Sequence, residues 1–228
     1  MNEPAASERT VGLPGGSLRA IDRGEGPVVL LLHGLGAGPD LWRDVLPDRA
    51  HRMRVVVPDL TRQAPSDPKA IAGRVSLLLD ELAVDECAIV GHGLGGVVAQ
   101  WLALRANVRC LVLIDAGPAD PSGGDLRADA PEPSVLQALD IPALVLWGED
   151  DPFVGVEIAD GLADALPQST LVLLPGCGHF LPTEAPETVA TLIGEFLRFR
   201  YLGLPHQHDH ARPMGPVPVE LRRGHGPA

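Results

Sequence analysis

The sequence predicts an α/β protein with a mostly parallel central sheet and helices on both faces, on three observations. Short runs of apolar residues without polar alternation recur at Val28–Leu32, Arg54–Asp59, Val108–Asp115 and from Ala143 onward, as suits parallel strands buried on both faces. Segments with apolar residues at helical spacing separate them, such as Ala70–Leu82 with Ile71, Val75, Leu78, Leu79 and Leu82. Cys87-Ala88-Ile89-Val90 runs into a glycine-laden turn, Gly91 to Gly95, which opens at once onto the helical pattern Val97, Val98, Trp101 and Leu102. Strand, helix and strand in that order call for right-handed crossovers in one parallel sheet.

Taken in order, residues 1–16 read as an N-terminal arm. Ser17–Asp22 is a short strand of alternating pattern, turned by Gly24-Glu25-Gly26-Pro27. Asp40–Leu46 is a short helical segment between the first two core strands. Only some two dozen residues, rich in Pro, Asp and Gly, lie between Gly117 and Pro142, with one helical piece at Ser134–Leu139. Residues 157–166 form a helix, Thr170–Leu174 the last core strand, and Glu187–Arg200 a closing helix with Val189, Leu192, Ile193, Phe196 and Leu197 on one face. Beyond Leu204 the composition turns to Pro, Gly and His with little to bury, so residues 205–228 are expected to be a flexible tail. His206, His208 and His210 alternate there. An extended chain would point them one way, toward an adventitious metal ion or over the site's mouth, but the tail reading needs neither.

At 228 residues the chain fits one domain, 17–204, with an ample core. A formal net charge of −12 argues against nucleic acid or an anionic membrane as partner. The first ten residues lack the apolar core of a signal peptide and no apolar run is long enough to span a bilayer, which points to a cytoplasmic protein. Cys87, Cys110 and Cys177 are odd in number and imply no disulfide framework. Cys177, two residues before His179, is read as a small residue packed under a loop rather than a reactive thiol.

The spacing Gly91-x-Gly93-x-Gly95 matches G-x-S-x-G, in which a strand turns sharply into a helix and the central residue takes a positive φ. Here that residue is Gly93, which holds such a backbone without steric cost and carries no hydroxyl. Three further pieces follow in order: Val28–Gly36 with its His33-Gly34 loop, Ala143–Pro152 with Asp151 near its end, and Gly176-Cys177-Gly178-His179-Phe180 followed by Glu184 and Pro186. From about Ser17 to Arg200 the chain therefore resembles the α/β-hydrolase superfamily, with glycine where the nucleophilic serine would stand. The resemblance implies an α/β-hydrolase fold whose first hairpin is trimmed and whose lid domain is nearly absent, reduced to residues 118–142. It implies backbone N–H groups of Leu35 and Leu94 as an oxyanion hole, His179 as general base and Asp151 as its acid, with Asp150 and Asp115 as the alternatives. His33, Gly34 and His92 are candidate substrate contacts, although His33 is read first as shaping its loop and His92 as packing beside the turn. Asp59 is read as a loop anchor for backbone rather than a catalyst.

Without a serine hydroxyl there is no acyl-enzyme, but an imidazole with a carboxylate partner still takes protons, and oxyanion donors still stabilise charge on a carbonyl oxygen. The leading expectation is a cofactor-independent, metal-free enzyme acting on a small ester, thioester or ketone by lyase, elimination or cyclisation chemistry. Hydrolysis by His-activated water, a non-catalytic binding protein, and a serine esterase inactivated by a Ser-to-Gly change are the other readings.

Overall fold

The computed structural model describes residues 7–45, 53–61, 67–117, 130–204 and 220–223. One nine-stranded sheet runs through the molecule. Its strands are β1 (Ser7–Leu13), β2 (Gly16–Arg23), β3 (Val28–Leu32), β4 (Arg54–Pro58), β5 (Cys87–His92), β6 (Val108–Ile114), β7 (Ala143–Gly148), β8 (Ser169–Leu174) and β9 (Glu220–Arg223). Their order is β1-β2-β4-β3-β5-β6-β7-β8-β9. All pairings from β4 through β8 are parallel, while β1, β2 and β9 join antiparallel at the edges. The mostly parallel sheet expected from the apolar runs is therefore present.

Side chains alternate across the sheet with the period of two that strands impose. Leu30, Leu32, Ile89, Leu111, Leu113, Val145 and Trp147 face one layer, which holds α1 (Pro68–Glu81), α2 (Leu94–Ala103), α3 (Pro133–Leu136) and α4 (Val156–Ala165). Val29, Leu31, Val90, Val112, Leu144 and Leu146 face the other, covered by the 3₁₀ turn Pro39–Trp42, α5 (Leu181–Glu184) and α6 (Pro186–Arg200). The start of α1 is set by Asp67, whose side chain accepts from the Lys69 N–H at 2.9 Å, with Pro68 in the first helical position where its missing N–H costs nothing. Cys87 and Cys110 are buried in the strands, and burial pushes both thiols up to about 12. Cys177 is also buried, and burial raises its thiol, in keeping with a packing role.

Three expectations are corrected or bounded by the structure. The N-terminal arm is a strand from Ser7 on, paired with β2 from Ser7↔Asp22 to Leu13↔Gly16, so the first hairpin is not trimmed. A Pro14-Gly15 turn with Gly15 at φ +81° closes it, and Arg9 reaches Asp22 at 3.0 Å. Pro then Gly is the type II turn signature, and it is the legible sign of this hairpin. Within the expected flexible tail, Glu220–Arg223 pairs antiparallel with β8. Residues 205–219 and 224–228, with His206, His208 and His210, lie outside the described residues, as do 118–129 of the reduced lid and 46–52 after the 3₁₀ turn.

α2 crosses directly over the ends of β3 and β5. A Cβ on Gly95 would stand 2.2 Å from the Leu32 carbonyl oxygen, and one on Gly91 would stand 2.5 Å from that of Gly95. The obstructing atoms are backbone and cannot swing aside. Gly95→Ala is therefore expected to cost more than about 3 kcal/mol, read as loss of folded protein or a large fall in the urea midpoint.

Candidate active site

Four loops at the carboxyl ends of the parallel strands converge on one point. Between β5 and α2, Gly93 has φ +53° and ψ −124°, a backbone that side-chain-bearing residues rarely adopt. Its N–H donates to the Ile114 carbonyl at 3.0 Å, which fixes the turn to β6. Leu94 is the first residue of α2, so its N–H lies among the helix-start donors that have no intrahelical acceptor.

His179 lies over that turn. Its Nε2 is 3.3 Å from the point a Cβ on Gly93 would occupy. Its Nδ1 is 2.7 Å from Asp151 Oδ2, and both side chains are buried. A carboxylate only accepts, so Nδ1 carries the proton, and Nε2 is the ring nitrogen turned toward Gly93. Burial alone would raise the Asp151 carboxyl. The hydrogen bonds from His179 and from the Val154 and Phe153 N–H groups outweigh it and hold Asp151 below the usual carboxylate range. Rings of Phe153 and Phe180 stand edge-on to the imidazole, at centroid distances of 5.4 and 5.2 Å, and Phe153 is 46% exposed. Sequence reasoning gave neither phenylalanine a role.

Of the alternative acids, Asp150 is exposed and its N–H donates to the Cys177 carbonyl at 2.9 Å. Asp115, at the end of β6, is buried at φ +44° and accepts the Gly148 N–H at 2.9 Å. Burial raises its carboxyl well above the ordinary value, the Gly148 bond opposes this, and the nearby Asp151 charge adds to it.

The candidate contacts separate. His33 Nε2 accepts the Leu60 N–H at 2.9 Å and its Nδ1 donates to the Gly34 carbonyl at 3.0 Å, so neither ring nitrogen is left for a substrate. It ties the β3 loop to the end of β4 through these two bonds. Gly34 abuts the site, its Cα 3.7 Å from the Gly93 Cβ point, and Leu35 follows it, half-buried. His92 is buried and its Nε2 donates to the His179 carbonyl at 2.8 Å, while burial pushes its pKa down to about 4. It is a packing support for the His179 loop. Asp59 accepts from the Thr61 N–H at 3.0 Å and from Arg19, as a loop anchor does.

A family model described as the alpha/beta hydrolase fold matches residues 27–134 and 124–186, well over half of the chain. The chain belongs to the α/β-hydrolase family. Among curated relatives, an uncharacterized protein of Mycobacterium tuberculosis is 27% identical over 290 residues, covering 90% of this chain and 83% of that protein. The 2-hydroxymuconate semialdehyde hydrolase of Pseudomonas sp. is 25% identical over 250 residues, 77% of this chain and 88% of that protein. Among solved structures, the 2-hydroxy-6-oxo-6-phenylhexa-2,4-dienoate hydrolase of Rhodococcus sp. has a TM-score of 0.73 at 20% identity, covering 85% of this chain and 99% of that chain. This last likeness concerns the fold. Both α/β-hydrolase segments meet at 124–134, inside the stretch between β6 and β7. Among the described residues no helix is long and apolar enough to cross a membrane.

Asp115 gives a pH test. Because its folded pKa is raised, the folded state holds a proton that the unfolded chain loses above about pH 4, and stability falls as pH rises through the folded pKa. Asn keeps the acceptor for Gly148, tolerates a positive φ and never ionises. Asp115→Asn is expected to raise the melting temperature relative to the parent at pH 8, with the advantage shrinking on acidification toward pH 4. A difference independent of pH would contradict the assignment.

Proposed function

We propose that this chain is a cofactor-independent enzyme in which His179, oriented by Asp151, acts as general base and acid on a small carbonyl compound, an ester, thioester or ketone. Gly93 holds the position of the nucleophile, so no acyl-enzyme forms there. The N–H groups of Leu35 and Leu94 stabilise the developing oxyanion, each worth on the order of 3 kcal/mol in such a site. The observation that carries the reading is the placement of His179 Nε2 over Gly93, with its other nitrogen on a buried carboxylate.

Water is the nucleophile this arrangement suits best. With no hydroxyl on residue 93, a water or substrate hydroxyl beside Nε2 gives up its proton to His179 as its oxygen attacks the carbonyl carbon. The imidazolium then returns the proton to the leaving group. The 2-hydroxymuconate semialdehyde hydrolase among the relatives favours hydrolysis over the elimination or cyclisation that the sequence brought forward. The same base and oxyanion donors serve those reactions as well. The active chain is proposed as soluble and cytoplasmic.

Three measurements test this. His179→Ala should lower turnover of p-nitrophenyl acetate or 2-hydroxymuconate semialdehyde by about 100-fold or more, the scale of a lost general base. A parent chain inert on both, and unchanged by the substitution, would favour a binding protein. In oxygen-18 water, hydrolysis places the label in the product carboxylate, whereas elimination and cyclisation leave it unlabelled. A fluorophosphonate should leave the parent unlabelled and modify Gly93→Ser, in which the new Cβ needs His179 to yield only a few tenths of an ångström. Labelling of the parent would overturn the non-covalent mechanism.

A further inference from the structure

His179 is held by more than its ring. The loop that carries it is short, from the end of β8 at Leu174 to the start of α5 at Leu181. Within it, the Gly178 N–H donates to Glu184 Oε2 at 2.6 Å and the Phe180 N–H donates to Glu184 Oε1 at 2.9 Å. A single carboxylate therefore grips the amides immediately before and after the histidine. It sits close against Gly178, where an added Cβ would stand 3.2 and 3.3 Å from the two carboxylate oxygens and oblige them to yield by a few tenths of an ångström. Glu184 is itself pinned as the last residue of α5, where its own N–H donates to the Phe180 carbonyl at 2.9 Å. On the other side of the loop, Asp150 N–H holds the Cys177 carbonyl at 2.9 Å and His92 Nε2 holds the His179 carbonyl at 2.8 Å.

From this geometry we propose that Glu184 is a positioning residue, whose carboxylate sets the backbone on both sides of His179 and so keeps Nδ1 on Asp151 and Nε2 over Gly93. Its oxygens face backbone and none is in contact with Nε2, so it acts through His179 and does not touch the reacting atoms. The inference rests on the reading of His179 as the base only for its kinetic consequence. The effect on the imidazole stands by itself. A peptide swing of a few tens of degrees at 178 or 180 moves the ring by about an ångström, enough to cost on the order of 100-fold in a positioned site.

The full chain carrying Glu184→Ala and Glu184→Gln tests this with one readout independent of turnover. The proton shared by His179 Nδ1 and Asp151 should give a downfield proton NMR resonance in the parent, assigned by its loss in His179→Ala. Glu184→Ala is expected to broaden it away or shift it upfield. Glu184→Gln, which keeps one acceptor oxygen, should restore it in part. In a Gly93→Ser background with p-nitrophenyl acetate, Glu184→Ala should lower kcat about 10- to 100-fold, leave KM within about twofold and displace the pH profile, with partial rescue by Gln. Gly178→Ala, whose Cβ makes the Glu184 carboxylate yield by a few tenths of an ångström, should shift the resonance in the same direction by a smaller amount and keeps the test open if Glu184→Ala fails to fold. An unchanged resonance and pH profile in folded Glu184→Ala would overturn the proposal and leave Glu184 a helix-end residue only. If the resonance responds while every chain is inert toward substrate, the positioning role stands and the proposed catalytic function falls.

Discussion

The contact on which the site depends is backbone against backbone, where α2 starts over the ends of β3 and β5. Ordinary helix-on-sheet packing keeps a layer of side chains between the two. At Gly91 and Gly95 there is no room for even a methyl group. That closeness makes the turn between strand and helix sharp, gives Gly93 its positive φ, and lifts it toward the loop carrying His179. It also brings the first N–H of α2 beside the Gly34-Leu35 loop, since Gly34 lies against both His92 and Gly93. A small loosening at this crossing would move Gly93 and the first N–H of α2 away from His179.

Around that crossing, the titratable groups are sorted by their hydrogen-bond partners more than by burial. Asp151 and Asp115 are both buried, yet their carboxyls move in opposite directions. Asp151 has an imidazole N–H and two backbone N–H donors, which stabilise its charge. At Asp115 the backbone N–H groups of Gly148 and Leu181 act the same way but no imidazole does, and burial prevails. His33 and His92 are likewise kept from charging by burial. Asp151 is thus the carboxylate whose hydrogen bonds favour its charged form at the imidazole, while burial works against charge on Asp115, His33 and His92. On the proposed mechanism this is the arrangement that stabilises an imidazolium only at His179.

The core of the fold was legible because its strands are buried on both faces, and an uninterrupted apolar run as short as Val28–Leu32 or Cys110–Ile114 suits a central parallel strand better than a helix. The edges were not. β1 reads Ser-Glu-Arg-Thr-Val-Gly-Leu, too polar to register as a core strand, and is held by pairing with β2 and by Arg9 on Asp22. β9 is four residues in a Pro- and Gly-rich stretch, and its partner is the otherwise open edge of β8, a tertiary fact with no local signal. At the site, order along the chain pointed to His179 and to a small set of acids. Only geometry separates Asp151, on His179 Nδ1, from Asp150, one residue away with its side chain exposed and its backbone N–H on the Cys177 carbonyl. The same holds for His33, whose neighbours Gly34 and Leu60 use both ring nitrogens.

A side chain at φ +53° and ψ −124° would cost about 1–3 kcal/mol, and glycine removes that cost while bringing no hydroxyl. Whether the remaining groups keep their geometry depends on what holds them, and nothing at residue 93 does so through a side chain. His179 is fixed by Asp151 on its ring, by His92 on its carbonyl and by Glu184 on the flanking amides. The Gly34-Leu35 loop is fixed by His33, and Asp151 by the N–H groups of Phe153 and Val154. Each part is anchored within its own loop or to its neighbour across the sheet. The base, its acid and the backbone donors therefore do not need a serine to stay in register, and a mechanism that uses a freely bound nucleophile in its place requires no rearrangement of the fold.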